Sequence, residues 1–574
     1  MALSTIDWVI IIAFFVISLL IGVYTLKFSS KNSSNFFLSG RNMPWWVLGV
    51  SMVATTFAAD TPGLVAGIVR KDGISGNWVW WSFLLTGMLT VFFYSKLWRR
   101  TGIKTDLEFY ELRYSGKSAS FLRGFRALYL GVFFNVVIMA TVCLAAIKIG
   151  HVLFDFSATT SLLIACSVTA FYSMLGGLKG VLITDFIQFI IAMTGSIWAS
   201  FYVVNRPEIG GIDKLINHVN ISDKLNLIPE FNNPEVYIPL LIVPLAVQWW
   251  SVWYPGAEPG GGGYIVQRML AAKSEKDATI ATFFFNVMHY AIRPWPWIIM
   301  GLASIIIYPS LADLQQAFPD LDPEFIKNDL SYAAMLKLLP VGLIGIVVTS
   351  LIAAFMSTIS THLNWGSSYI VNDFYVRFIN PKATSKQQVF IGRISILVMM
   401  LFSALLAFVL EEAKDAFDLL LQIGAGTGLL FIVRWFWYKV NPFSEITAMV
   451  VSFIIALILF INKKNDYFWF EIKQYEELIL GVIITTICWV LVSFITNPSK
   501  AETLESFNKL AFNGTSKFKN FKYKLVSFLF AVIGVYAVLF AIGQTIFSDF
   551  INAGISFSIS IICGYVIFKF WNKI

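Results

Sequence analysis

The chain has 574 residues, of which 57% are hydrophobic and only 13% charged, and its mean hydropathy is +0.73. Water-soluble domains carry about 25% charged residues, so the composition excludes a soluble protein and indicates a polytopic membrane protein. The net charge of +8 does not point to nucleic acid, because Lys and Arg are spread over many short loops and form no single basic stripe.

The first apolar run, Trp8 to Leu26, has no charged leader and no small-residue cleavage site before Lys27, and reads as a retained span, not a signal peptide. Apolar runs of about 20 residues recur along the chain, and about fifteen of them are expected to cross the bilayer. The run from Trp45 to Val69 is interrupted by Ala58-Ala59-Asp60-Thr61-Pro62, which puts a carboxylate, a hydroxyl and a helix breaker near the middle of a span. Inside hydrocarbon every backbone N–H and C=O needs a partner, so a broken helix survives only where it lines a cavity or binds something. Asp185 follows near the start of the sixth predicted span, where an ionisable carboxylate costs up to about 3 kcal/mol at helix-centre depth unless paired. A second interruption comes at Pro255 to Gly263, PGAEPGGGG, where another span should be finishing. Paired broken helices in corresponding halves of a chain point to a transporter site at the bilayer midplane.

Further on, Ala354-Phe355-Met356-Ser357-Thr358-Ile359-Ser360-Thr361 carries hydroxyls at i, i+3 and i+4. Ser357, Ser360 and Thr361 therefore share one helix face, with Thr358 and the Ala354 carbonyl beside it. A hard monovalent cation such as sodium takes a cage of oxygens, which these hydroxyls supply together with carbonyls freed at the first break, those of Ala54 and Phe57. Taken alone, such hydroxyls more often bond their own backbone or a neighbouring helix. Asp185 falls at similar depth and can balance the charge of a cation.

Positive charge favours the cytoplasmic side of short loops. Lys27, Lys31 and Arg41, then the cluster from Arg99 to Arg123, then Arg268, Lys273 and Lys276, and later Lys517, Lys519 and Lys522 alternate with balanced or acidic loops such as Asp313 to Asp329. The N-terminus is thus expected outside and the C-terminus inside, and the two interrupted spans run antiparallel. That is the mark of an inverted repeat. Residues 41–205 and 206–440 form its halves, flanked by a peripheral first helix (1–40) and peripheral C-terminal helices (441–574) in one transmembrane transporter domain. Histidines 151, 218, 289 and 362 form no metal motif, and the four cysteines no CxxC pair. No nucleophile and base stand together, so an enzyme is not expected.

Tyr172-Ser-Met-Leu-Gly-Gly-Leu-Lys-Gly-Val-Leu-Ile-Thr-Asp-Phe-Ile-Gln188 resembles the YxxxGGLxxVxxTDxxQ stretch of the sodium:solute symporter family, which includes sodium/glucose and sodium/proline cotransporters. Gln267-Arg-Met-Leu-Ala-Ala-Lys273 is similar to that family's QRxLAAK loop, and Gly40-Arg-Asn-Met-Pro-Trp-Trp46 to the stretch leading into its first core helix. The resemblance implies an all-α, leucine-transporter-type five-plus-five inverted repeat. Carried over by position, it implies a principal sodium site made of the carbonyls of Ala54, Phe57 and Ala354 and the hydroxyls of Ser357 and Thr358. It implies a second site on Asp185, Ser357, Ser360 and Thr361, hence one or two coupling sodium ions per cycle.

For the solute, positions matching the polar contacts of sugar-carrying relatives include Asp60, Thr61, Trp80, His289 and Gln422. Gln422 alone is retained as a typical sugar contact; Trp80 replaces a carboxylate, and His289 falls where a lysine is often found. Glu258 lies in a stretch that departs from the family's usual aromatic gate, and is free to salt-bridge Arg293. Asp60 and Glu258 suit a polyol or an amine, whereas His289 and Arg293 suit a carboxylate. The expected function is sodium-coupled import of a small polar solute, sugar-type favoured, by alternating access in a cell membrane, with sodium, solute and lipid as ligands and no nucleic acid or obligate protein partner. A symporter of amino acids or organic acids, and a transporter-like sensor, are the alternatives.

Overall fold

The computed structural model describes residues 3–574 apart from 253–257, 320, 322, 324–325, 411–423, 425 and 466–471. Among these residues the protein is helical, with no strand beyond an isolated bridge between Met43 and Ala272. Eleven helices among the described residues are long and apolar enough to cross a membrane.

Helix α1 (Thr5–Ser29) starts on a capping box in which Ser4 and Asp7 satisfy each other's backbone N–H groups. The buried Asp7 carboxylate also accepts from the N–H groups of Gly342 and Gly345 at 2.8 and 2.9 Å, which pins α1 to the start of a later helix. Helix α2 (Trp45–Thr55) ends where the sequence predicts its break: residues 56–60 are non-helical, and α3 (Thr61–Asp72) restarts with a proline in its first turn. Proline is tolerated there because a first-turn N–H has no partner in the helix. Helices α4 (Ile74–Thr101) and α5 (Lys117–His151) follow.

Helix α6 (Ala158–Val204) is 47 residues long but breaks at Gly177, where φ is 54° and ψ −162°. At 1.5 Å per residue each segment can span a bilayer. A Cβ at Gly177 would lie 2.8 Å from the Phe36 carbonyl, so both conformation and space require glycine. After α7 (Pro234–Ala246) the second break is described over 258–262, where Gly260 and Gly261 have φ of 84° and 94°. The Gly260 carbonyl accepts from the Trp98 indole at 2.7 Å. Helix α8 (Gly263–Ala271) restarts with the Gly263 N–H on the Asp106 carboxylate at 2.9 Å.

Further helices, apart from short ones, are α9 (Glu275–Ile307), α10 (Leu330–Leu336), α11 (Leu343–Ile379), α12 (Ser385–Ala407), α13 (Gly428–Val433), α14 (Pro442–Asn462), α15 (Gln474–Ile495), α16 (Ala501–Phe512), α17 (Phe521–Ile546) and α18 (Phe550–Lys573). Helix α11, which carries the hydroxyl face, is the most enclosed of the spanning helices, 89% buried over its apolar window, whereas α18 is 22% buried. Helix α6 packs against α1, α2 and α11, and α9 runs beside both halves of the first broken helix. Two sequence motifs meet directly. Met43 N–H donates to the Ala271 carbonyl at 3.1 Å, Lys273 N–H to the Met43 carbonyl at 3.0 Å, and Trp45 N–H to Asp277 at 3.1 Å.

One polar clamp is centred on a carboxylate outside the spans and joins the ends of α5 and α11. Glu111, in the short helix Glu108–Arg113, binds Arg123 at 2.7 Å, Arg377 at 2.8 Å and the Ser120 hydroxyl. Burial alone would raise its pKa, but hydrogen bonds from Arg377, Ser120 and Arg123 hold the carboxyl down at about 2. Its stabilising contribution is therefore complete above the ordinary value of 4.5 and is lost as pH falls toward about 2. Glu111→Gln should destabilise the purified protein by about 1.5–3 kcal/mol. Thermal melts as a function of pH check this: the gap between variant and parent should narrow below pH 4.5.

Candidate functional site

The α11 hydroxyls dock on the last turn of α2. Thr358 donates to the Thr55 carbonyl at 3.0 Å, and Thr361 lies 3.0 Å from the Thr55 hydroxyl. Ala54 and Phe57 lie on either side of Thr55 at this helix end, where the Phe57 N–H donates to the Ala54 carbonyl at 3.1 Å, and Ala354 sits one turn ahead of Thr358 on α11. Asp185 of α6 closes the cluster: its carboxylate accepts from Ser357 at 2.6 Å and from Ser51 of α2. Ser357, Thr358, Ser360, Thr361 and Asp185 are all buried. The Ser360 hydroxyl bonds its own helix, at the Ser357 carbonyl 3.1 Å away, as membrane-helix serines commonly do. The geometry thus joins hydroxyls, helix-end carbonyls and one carboxylate from α2, α6 and α11, a donor set suited to a hard monovalent cation.

Three further residues enter this cluster. Ser51 and Thr55 lie four apart on α2, and that i, i+4 hydroxyl pair is a legible signal the sequence reading passed over. The larger difference is Arg268, expected in a cytoplasmic loop by its charge. It is fully buried on α8, donating to Thr361 at 2.7 Å, Thr55 at 3.3 Å and Ser51 at 3.2 Å, with its Nη2 3.8 Å from Asp185. A buried carboxylate is tolerated when paired, and here the pair comes from the second broken segment folding back onto the first. Gln188, one turn beyond Asp185 on α6, is buried with neither side-chain polar atom hydrogen-bonded.

Beside this cluster lies a cavity whose lining includes Thr56, Thr86, Glu258, Asn286, His289 and Tyr290. Thr56, the first residue of the α2–α3 break, bonds His289 Nδ1 at 3.0 Å and accepts from Arg293 at 3.1 Å. Arg293 also donates to the Val53 carbonyl at 3.1 Å and stacks over Trp297, 5.1 Å from its centroid. Its guanidinium thereby holds the end of α2. Trp80 stands behind the cavity wall, its ring 6.0 Å from Tyr290 and 5.9 Å from His289. Asn286 was not anticipated. Its amide N–H₂ donates to the Thr282 carbonyl at 2.8 Å, while its Oδ1 is buried without a partner. A lone amide in the apolar run Phe283 to Met288 was the available signal.

The expected solute residues are not all brought together. Glu258 and His289 line this cavity, and Trp80 packs behind it. Asp60 lines a different cavity with Lys148 and Asp329, which form an ion pair at 3.7 Å. Thr61 opens α3, and Gln422 lies outside the described residues.

The profile of the sodium:solute symporter family matches residues 36–452. A sodium/glucose cotransporter of Vibrio parahaemolyticus is 25% identical over 474 residues, covering 80% of this chain and 85% of the relative. The sodium/sialic acid symporter SiaT of Proteus mirabilis is 24% identical over 500 residues, covering 84% and 94%. The solved structure of a Na+-coupled sialic acid symporter in a substrate-bound outward-open state superposes with a TM-score of 0.67 at 20% identity, covering 87% of this chain and 99% of that one, so the two share a fold. With a family match over most of its length and membrane-length helices throughout, the chain belongs to the sodium:solute symporter family, integral membrane carriers, not enzymes, that use sodium as the coupling ion.

Proposed function

We propose that the protein imports a small sugar-like solute together with sodium. The observation that carries this is the position of two adjacent residues at the first break. Thr55 faces the oxygen cluster, bonding Thr358 and Thr361, and Thr56 faces the cavity, bonding His289. The end of one helix therefore touches both ligands' places, and occupancy of either biases the geometry of the other. The first sodium takes the carbonyls of Ala54, Phe57 and Ala354 with the hydroxyls of Ser357 and Thr358. A second takes Asp185, Ser357, Ser360 and Thr361. Each sodium entering down 100 mV contributes about 2.3 kcal/mol, so a second ion widens the attainable solute gradient. The rest of the reading is about fifteen crossings in an inverted repeat, with the N-terminus outside. The division of α6 at Gly177 and the two broken helices support it.

Within the cavity, Glu258, His289 and the unpaired Asn286 oxygen offer acceptors and donors for solute hydroxyls. That the relatives are named for glucose and sialic acid carriage supports a sugar-type solute. A carboxylated sugar is the second reading, favoured by Arg293, whose buried Nε has no partner while its Nη1 donates to Thr56 at 3.1 Å. Uptake of labelled neutral sugars, carboxylated sugars and amino acids into proteoliposomes, with and without an inward sodium gradient, tests both. Sodium-stimulated uptake of a neutral sugar is expected; stimulation by carboxylated sugars alone selects the second reading. No sodium-stimulated uptake of any of them rejects the proposal.

A further inference from the structure

Four helices meet at a single side chain. The Arg268 guanidinium of α8 contacts Ser51 and Thr55 of α2, Thr361 of α11 and Asp185 of α6, and nothing of it reaches solvent. Asp185 and Thr361 also belong to the second sodium site proposed above, so guanidinium and sodium draw on the same oxygens. Two cations crowded around one carboxylate repel each other, and each satisfies the carboxylate without the other. A sodium carrier must also reorient empty once sodium and solute have left, and a bare carboxylate in the membrane interior is strongly disfavoured.

We propose that Arg268 is a tethered counter-cation for Asp185. It draws away from Asp185 and Thr361 when the second sodium binds and returns when sodium leaves, so that the empty carrier reorients with its carboxylate neutralised. Its location fits this work. Arg268 stands in the second turn of α8, directly after the glycines of the second break, Gly260 and Gly261, whose left-handed φ values mark backbone outside the helix. Its neighbour Gln267 holds the base of the turn, donating to the Phe37 carbonyl at 3.0 Å and to Asn364 at 2.9 Å. Arg268 is thus a positioning residue for the empty carrier. The inference rests on the reading of Asp185 as a sodium ligand.

The test separates two transport modes of full-length protein in proteoliposomes. Net uptake requires the empty carrier to return, whereas exchange of labelled for unlabelled solute at saturating sodium on both sides does not. Arg268→Gln should lower the ratio of net uptake to exchange by tenfold or more. Arg268→Lys, which keeps the charge, should hold the ratio within about threefold of the parent. The double variant Asp185→Asn/Arg268→Gln, which removes both charges, should restore the ratio to the same range although it needs more sodium. The ratio is independent of how much protein is inserted. A proportional loss of both modes in Arg268→Gln, or a double variant with as low a ratio as the single one, overturns the proposal. If Arg268→Gln does not assemble, the other two variants decide, and a tenfold lower ratio in either overturns it. Asp185→Asn alone keeps the two questions apart: unchanged sodium activation in it rejects the sodium-site reading, whereas altered activation with an unchanged ratio in Arg268→Gln rejects only the counter-cation.

Discussion

Replacing Asp185 with asparagine should raise the sodium concentration for half-maximal uptake thirtyfold or more, about 2 kcal/mol in sodium binding. Asparagine is nearly isosteric and keeps one acceptor for Ser51 or Ser357, so the loss is of charge more than of shape. It has two parts. Sodium loses its only carboxylate within reach among the described ligands, and Arg268 is left as a buried cation with no counter-charge, still bonded to Ser51, Thr55 and Thr361. Removing one partner of a buried ion pair also costs about 3–5 kcal/mol of stability, so the variant should melt earlier as well. Ser357→Ala should act in the same direction but more weakly, because one hydroxyl among several ligands is lost and the charge remains. Initial uptake rates against sodium at fixed solute measure both; unchanged sodium dependence in the two variants would place the cage elsewhere.

The second large effect is expected at Asn286. Its Oδ1 is buried and unpaired, and the Cβ position of Gly87 lies 1.7 Å from it, so only a glycine leaves room for the amide at that wall. A buried acceptor without a partner costs about 1–3 kcal/mol, a cost that a solute hydroxyl removes on binding. Asn286→Ala should therefore raise the apparent solute constant by about ten- to a hundredfold. Thr61→Ala should change it less, since Thr61 begins α3 and is not among the residues lining the cavity. Uptake against solute concentration at saturating sodium gives both constants. An unchanged constant in Asn286→Ala would show that the solute passes by another route.

The two helix breaks, the hydroxyl face of α11 and the odd carboxylate of α6 could all be read locally. A proline in a first turn, glycines with left-handed φ, hydroxyls at i, i+3 and i+4, and a charge inside an apolar run each leave a mark within a few residues, because backbone hydrogen bonding and helical period are short-range. That reading placed Ser357 and Asp185 at a common depth, and they are hydrogen-bonded at 2.6 Å.

Other features were decided by packing. Arg268 reads as a loop charge from its neighbours, yet the fold-back of α8 against α2, α6 and α11 buries it. The same packing sends Asp60 and Glu258 to different cavities, although both belong to broken segments. Asn286 and Thr56 gain their place only when α9 is laid along α2. By itself the sequence determined that the protein spans a membrane, where its helices break, and which faces carry oxygens. The tertiary structure alone decided which oxygens share a partner, because charge and periodicity fix a side chain's angle and depth on its own helix but not which neighbouring helix it meets.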